Sequence, residues 1–466
     1  MKNDAHLEAL FNPSSVAIIG ASRDERKSGG RFFQSLMRNG FKGSYYAVNP
    51  QETEVMGQKA YASVLDIPGE VDLVVITIPA AAMPRVMADC AKKQVKAAVI
   101  FSAGFREAGA EGRDLEKKVL EAARPGGVRI IGPNCMGVYN PGHGLNTIVS
   151  HIDLPRESGR VSFIGQSGWA SENFIIAGSD RGLRLSKVVS AGNQADLCVT
   201  DYLRFLGDDP ETEFIGAYLE GIPNGQEFLR QARKVTLRKP VVIWKAGRTK
   251  AGARAVASHT ASMAGADGLW DAAFKQAGII RASQFDDLVD FAAAFGCPYL
   301  PEGNRVGLIG EAGGGGAAGS DACESVGLEV NQFPEPLQQR LRDCLEGSAA
   351  PFSSVRNPVD LVSPRRIEYP EFISRCLKIM AAAVDAFIFF TYFALDDAAF
   401  LEAMADLRDR IRKPLFMVPG YATRQSEGMF QYTRKGVPAL PTPERAARAI
   451  AALRGYAKYL EEHKKA

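Results

Sequence analysis

Three short segments of this chain share one design, and that repetition limits the fold more than any other feature. They are Val16-Ala17-Ile18-Ile19-Gly20-Ala21-Ser22, Val161-Ser162-Phe163-Ile164-Gly165-Gln166-Ser167 and Val306-Gly307-Leu308-Ile309-Gly310-Glu311-Ala312. Each runs from an apolar stretch to a glycine and a small or polar turn, followed by helix-compatible sequence. A buried parallel strand that feeds a helix has this form. The segments open at positions 16, 161 and 306, a spacing of 145 residues both times. That spacing suits one doubly wound domain per segment.

Further apolar runs at 73–78, 97–101, 241–245, 386–391 and 415–418 predict additional strands. Helical patterns, for example at 228–235 and 268–277, alternate with them. Alternation of this kind predicts an α/β protein whose parallel sheets are covered on both faces. Stretches rich in Pro, Gly and polar residues at 141–159 and 298–304 mark the breaks. The expected layout is three doubly wound domains, over 1–142, 143–300 and 301–466.

With 466 residues the chain is too long for one ordinary core. Its net charge of +3, from 56 basic and 53 acidic residues, offers no electrostatic reason to expect a nucleic acid or an anionic membrane. The most apolar stretch, 379–395, is interrupted by Asp385 and is too short and mixed to span a bilayer. Residues 1–10 lack an apolar signal core. The seven cysteines form no CxxC pair, and none of the five histidines has metal-ligand spacing with another. A reduced, cytoplasmic protein without a metal centre is expected.

The turns after the strands are the candidate sites, because ligands of open α/β sheets bind at the carboxyl edge. Gly20, Ala21 and Ser22 lead into a basic, glycine-containing loop through Lys27 and Ser28. Backbone N–H groups and Lys27 could cradle phosphates there. Asn49, Pro79, Ser102, Gly104 and Asn134 belong to turns that should reach the same edge. The plain alternative is that these loops only turn the chain. Ser167 and Gly168 should open a helix whose free N–H groups suit an anion, or else form an ordinary capped start. His259 stands in a run of small residues, where there is room for a phosphoryl group on a nucleophilic imidazole. Glu220, at a strand end, is the carboxylate best placed to orient it. Taken alone, a single histidine is more often structural.

The motifs VAIIGAS, VNP, SAGF, GPNCMG, GQSG, SAGN, LEGI and SHTASMAG occur in this order along nearly the whole chain. In this the chain resembles the nucleoside-diphosphate-forming acyl-CoA synthetase superfamily, which includes ADP-forming acetyl-CoA synthetase and succinyl-CoA synthetase. The resemblance implies a Rossmann-like CoA-binding domain followed by two flavodoxin-like, succinyl-CoA synthetase-like domains. It implies that Gly20, Ala21, Ser22, Lys27, Ser28, Asn49, Pro79, Ser102, Gly104 and Asn134 contact coenzyme A. His259 would become phosphorylated with Glu220 as its partner. Ser167 and Gly168 would hold phosphate, and so would Gly313 and Gly314 at a second glycine-rich helix start. The implied reaction joins a small carboxylic acid to CoA through an acyl phosphate and a phosphohistidine, with ATP and Mg2+ bound elsewhere.

Departures from the family pattern bear on the substrate. Trp169 and Glu172 follow the phosphate helix start and, with Asn193, are candidates for a non-acetate acyl pocket. Glu311 replaces a more usual asparagine before the glycines. No ATP-grasp segment is recognisable, so the expected partner is a β subunit carrying that module, in a hetero-oligomer or around a homodimer of this chain. Two other functions remain open. One is a CoA- or acyl-CoA-binding regulatory protein without ligase activity. The other is a nicotinamide-dependent oxidoreductase, against which the incomplete glycine fingerprint and the lack of a catalytic pair both count.

Overall fold

The computed structural model describes residues 2–148, 152–260, 267–311, 313–345, 353–362, 369–392, 397–420 and 427–464. Its strands form three sheets. The first contains β1 (Ser15–Ile19), β2 (Ser44–Val48), β3 (Glu54–Val55), β4 (Gln58–Tyr61), β5 (Leu73–Ile76), β6 (Ala97–Ile100) and β7 (Arg129–Ile131), in the order β3-β4-β2-β1-β5-β6-β7. The second contains β8 (Gly137–Asn140), β9 (Leu145–Asn146), β10 (Val161–Gly165), β11 (Leu185–Ser190), β12 (Phe214–Leu219), β13 (Val241–Lys245) and β14 (Ile280–Ala282), in the order β14-β13-β12-β10-β11-β8-β9. The third contains β15 (Val306–Gly310), β16 (Ser354–Val355), β17 (Val359–Asp360), β18 (Ala386–Thr391) and β19 (Leu415–Pro419), in the order β16-β17-β15-β18-β19.

The three repeated segments supply β1, β10 and β15, the middle strand of each sheet. From each of them the chain first builds outward on one side and then crosses to the other. The loops leaving the strands diverge at that reversal and open a crevice at the carboxyl end of the middle strand. The middle strands must be apolar on both faces, and their neighbours show why. Along β5, Leu73 and Val75 enter one core while Val74 and Ile76 enter the other, and all four are fully buried. Full burial of each such side chain contributes about 1.5–3 kcal/mol.

The chain divides into two compact units. One comprises Met1–Ser179 and Arg184–Ala282 and holds the first two sheets. The other comprises Asp180–Leu183 and Ser283–Ala466 and holds the third.

Two features differ from the layout expected around 142/143 and 300/301. Strands β8 and β9 join the second sheet, where β8 pairs antiparallel with β11 through Val138↔Val189 and Tyr139↔Val188. The helix Phe285–Ala294 belongs to the second unit, where it packs on the helix Pro443–Lys464. Asp290 on that helix is fully buried, and it is held by Arg181 at 2.6 Å and by Arg445 of the helix Pro443–Lys464 at 2.6 Å. Arg448 pairs with Asp287 at 3.1 Å. Buried carboxylates need such cations, so the helix stays with the arginines.

Among the described residues, no helix is long and apolar enough to cross a membrane. The helix expected at 268–277 runs over Asp267–Gln276, and that at 228–235 lies within Gly225–Thr236. Asn224 starts the latter by accepting the Glu227 N–H at 3.1 Å.

Candidate active site

The turn after β1 requires glycine. Gly20 has φ +92°, and a Cβ there would lie 2.6 Å from Thr77 Oγ1. The loop then folds on itself: Ser22 Oγ accepts the Asp24 N–H at 3.1 Å, and the Asp24 carboxylate accepts from the Arg26 backbone and guanidinium. The hydrogen bond from the Arg26 side chain holds the Asp24 carboxyl down at about 2. Lys27 is exposed and precedes the helix Ser28–Arg38. That helix start has neither a side-chain cap nor an acidic residue in its first turn, which leaves its N–H groups and dipole available to an anion.

The other loops of this edge are bonded to one another. Asn49 Nδ2 donates to the Ala21 carbonyl at 2.8 Å, and Ser102 Oγ donates to the Ile78 carbonyl, next to Pro79, at 2.5 Å. The Asn134 N–H donates to the Ser102 carbonyl at 3.1 Å. Gly20, Ala21, Ser22, Lys27, Ser28, Asn49, Pro79, Ser102, Gly104 and Asn134 thus all lie on carboxyl-end loops of the first sheet.

This edge is stitched to the second sheet. The Asn193 N–H donates to the Pro133 carbonyl and the Ala195 N–H to the Gly132 carbonyl, both at 2.9 Å. The Met136 N–H donates to Ser190 Oγ at 3.1 Å, and Arg129 pairs with Asp196 at 2.8 Å. A cleft of about 380 Å3 lies at the seam. Phe101, Ala103, Asn134, Cys135 and Met136 line it from the first sheet's loops, and Gln166, Ser167, Gly168, Trp169, Gly192 and Asn193 from the second's. Of the ten residues expected to contact coenzyme A, Asn134 lines this cavity, beside Ser167 and Gly168 of the helix start, while the other nine do not.

Ser167 and Gly168 begin the helix Gly168–Asp180, again with no acidic residue in the first turn. Trp169 projects from this start, with more than half of its surface exposed, and its ring lies 6.4 Å from that of Trp244. Glu172, one turn further along the helix, is half-buried and does not line the cleft.

Glu220 follows β12 and is 3 % exposed. Its backbone is held from two sides. Gln166 Oε1 accepts the N–H groups of Glu220 and, at 2.9 Å, of Gly221. Lys245 Nζ donates to the Glu220 carbonyl at 2.9 Å. The Tyr218 hydroxyl donates to Glu220 Oε1 at 3.3 Å, and burial, reinforced by the nearby Glu220 charge, pushes that phenol well above its ordinary pKa.

His259 lies in the last turn of the helix Lys250–Thr260. Its side chain and residues 261–266 fall outside the described residues. Thr249 caps that helix by accepting the Gly252 N–H at 3.0 Å, and the helix packs on the turn Arg106–Ala108 of the first sheet. The helix that bears His259 therefore lies over a loop on the CoA side of the seam.

In the second unit, Gly313 and Gly314 begin the helix Gly313–Ser325. Glu311, 7 % exposed, accepts the Tyr392 N–H at 2.9 Å, and a Cβ on Gly313 would lie 2.7 Å from Asp360 Oδ2. Carboxylates thus already stand at the helix start where the sequence leads one to expect phosphate.

The sequence does not single out Gln166 and Lys245, which hold the Glu220 backbone, or Glu107, which accepts from the Asn193 side chain. A lysine ending the apolar run Val241-Val242-Ile243-Trp244 was the available signal for one of them. Among the described residues, no group of His, Cys, Asp and Glu could hold a metal ion.

Comparison with known proteins agrees with this geometry. Residues 14–141 match the family described as CoA binding domain, and residues 158–295 match the succinyl-CoA ligase like flavodoxin domain. The chain is 37 % identical to subunit alpha of ADP-forming acetate–CoA ligase II from Pyrococcus furiosus, over 97 % of this chain and 98 % of that one. It is 38 % identical to ADP-forming acetate–CoA ligase I from Archaeoglobus fulgidus, but spans only 64 % of that longer chain. A solved structure of Ca. Korarchaeum cryptofilum dinucleotide forming acetyl-coenzyme A synthetase 1, in complex with phosphate and ADP, superposes with a TM-score of 0.85. It shares 34 % identity, and the match covers 98 % of both chains. The chain belongs to the nucleoside-diphosphate-forming acyl-CoA synthetase superfamily.

Proposed function

We propose that this chain is the CoA-binding, phosphohistidine-carrying subunit of an ADP-forming acyl-CoA synthetase. The observation that carries the proposal is the single cleft at the seam, where loops of the CoA-binding sheet face the open start of the helix Gly168–Asp180. The loops bearing Gly20, Ala21, Ser22, Lys27, Ser28, Asn49, Pro79, Ser102, Gly104 and Asn134 hold coenzyme A. Ser167 and Gly168 hold phosphate at the helix start. Phosphate attacks the acyl carbon of the bound thioester, CoA leaves as the thiolate, and an acyl phosphate forms. His259 then takes the phosphoryl group and releases the carboxylate. Glu220 orients the imidazole and offsets the positive charge that develops on it.

The phosphohistidine passes its phosphoryl group to ADP on a partner subunit of ATP-grasp type, where Mg2+ neutralises nucleotide charge. The reverse sequence makes the thioester from acid, CoA and ATP. Trp169 and Asn193, which line the cleft beside the phosphate helix, shape the acyl pocket. The surroundings are reducing and cytoplasmic, in keeping with seven free thiols.

The test combines the chain with its ATP-grasp partner, an acyl-CoA and labelled phosphate. Wild type should form an acid-labile phosphoprotein, and His259→Ala should form none while still binding CoA. Labelling of the His259→Ala protein at wild-type rate would remove the mechanism.

A further inference from the structure

We propose that Lys245 is a positioning residue for phosphoryl transfer, a buried cation that fixes the backbone of Glu220 against the turn leading to the helix of His259. This inference rests on the phosphohistidine mechanism proposed above.

Lys245 closes β13 and is 2 % exposed. An ammonium so placed is tolerated only when its protons are engaged. Nζ donates to the Glu220 carbonyl at 2.9 Å and to the Ala246 carbonyl at 2.5 Å, and lies 4.9 Å from the centroid of the Trp270 ring. Two carbonyls and one aromatic face match its three protons.

These contacts join separate parts of the site. Glu220 follows β12, and Ala246 opens the turn that runs through Thr249 into the helix Lys250–Thr260. Gln166 already takes the N–H groups of Glu220 and Gly221, so the peptide at Glu220 is pinned on both its donor and acceptor sides. The Glu220 peptide cannot shift relative to that turn without breaking a buried hydrogen bond.

The charge has its own role. The charged groups acting on Lys245 are Glu220 after β12, Arg281 on β14 and Asp267 at the head of the helix Asp267–Gln276. Asp267 is shared with Arg281 and with Arg248. Of these neighbours, Glu220 acts most strongly on Lys245. A phosphoryl group brought to His259 adds negative charge beside Glu220, and a fixed ammonium offsets the repulsion. Burial holds the Lys245 ammonium below its ordinary pKa, so this cation is lost at a lower pH than a solvated lysine would be.

The experiment uses the complete two-subunit enzyme and measures phosphohistidine formation by rapid quench from acyl-CoA and labelled phosphate, across neutral to alkaline pH. Lys245→Met should slow that step about 10- to 100-fold. Its affinity for CoA should stay within about twofold, and the alkaline decline in rate should be gone. Lys245→Arg, whose charge does not titrate, should retain the step and shift the decline upward. A Lys245→Met enzyme at wild-type rate, or a slow one that keeps the wild-type alkaline decline, would overturn the proposal. If Lys245→Met does not fold, an unshifted decline in Lys245→Arg would overturn it too. Labelling that survives His259→Ala rejects the phosphohistidine mechanism instead, so the two failures are distinct.

Discussion

Glu107 binds Asn193 across the seam between the first and second sheets. One carboxylate oxygen accepts the Asn193 side-chain N–H, while the other accepts the N–H groups of Gly104 at 2.7 Å and Phe105 at 3.1 Å. A carboxylate only accepts, so this contact sets the orientation of the Asn193 amide. Its nitrogen faces Glu107, and Asn193 Oδ1, buried in the cleft wall, has no hydrogen-bond partner among the described residues. Burial raises the pKa of Glu107, but the hydrogen bonds from Asn193, Gly104 and Phe105 outweigh it and hold the carboxyl below its ordinary value.

Glu107→Gln should therefore lower stability by about 1 kcal/mol at pH 7. The sign of its pH dependence follows from the depressed pKa. The stability contributed by the carboxylate is fully present above the unfolded-state value and is lost as pH falls through the lower folded-state value. Denaturant melts of wild type and variant should converge as the pH drops below about 4.5, the ordinary value for glutamate. Equal stability at pH 7, or a gap that persists in acid, would contradict the assignment.

A buried lysine in the second sheet should matter more. Lys187 is 1 % exposed and pairs with Asp209 at 2.9 Å and Glu211 at 2.6 Å. The Asp209 side chain is only 8 % exposed, whereas that of Glu211 is 57 % exposed. Lys187→Met should cost about 3 kcal/mol, because it leaves Asp209 buried without its cation. Glu211→Gln should cost under about 1 kcal/mol. Urea denaturation of the two variants checks the contrast, and similar losses would rule it out.

Substitution of Trp169 should separate acyl selection from folding. Its ring is more than half exposed at the start of the helix Gly168–Asp180. Trp169→Ala should leave the melting free energy within about 1 kcal/mol of wild type. It should also change the ratio of kcat/KM between a large and a small carboxylic acid about tenfold. A uniform loss across a panel of acids would assign Trp169 to catalysis or folding rather than to acyl selection.

Much of the fold was legible in short windows. Val241–Lys245 and Ala386–Thr391 are strands over the expected residues, since an unbroken apolar run reports burial on both faces. The loops expected to share the carboxyl edge of the first sheet do share it, because parallel strands with helical crossovers all end on the same side. The clamp on Glu220 was not legible. Gln166 reaches it from 54 residues away and Lys245 from 25 residues away, and neither side chain has a local pattern that names its partner. The same holds for Glu107 and Asn193, which are 86 residues apart. Before the glycines at 313–316, Glu311 stands where asparagine is more usual. In the fold it is bonded to Tyr392 of its own unit.

The sequence by itself determined the class of fold, the three middle strands and the family, because periodicity and glycine turns act over a few residues and motif order survives divergence. Only the tertiary structure decided that β8 and β9 cross to the second sheet, that the helix Phe285–Ala294 lies with Arg181 and Arg445, and that loops of the first two sheets line one cleft. Those outcomes depend on which distant groups satisfy buried hydrogen bonds and charges. That accounting closes only when the whole chain is packed.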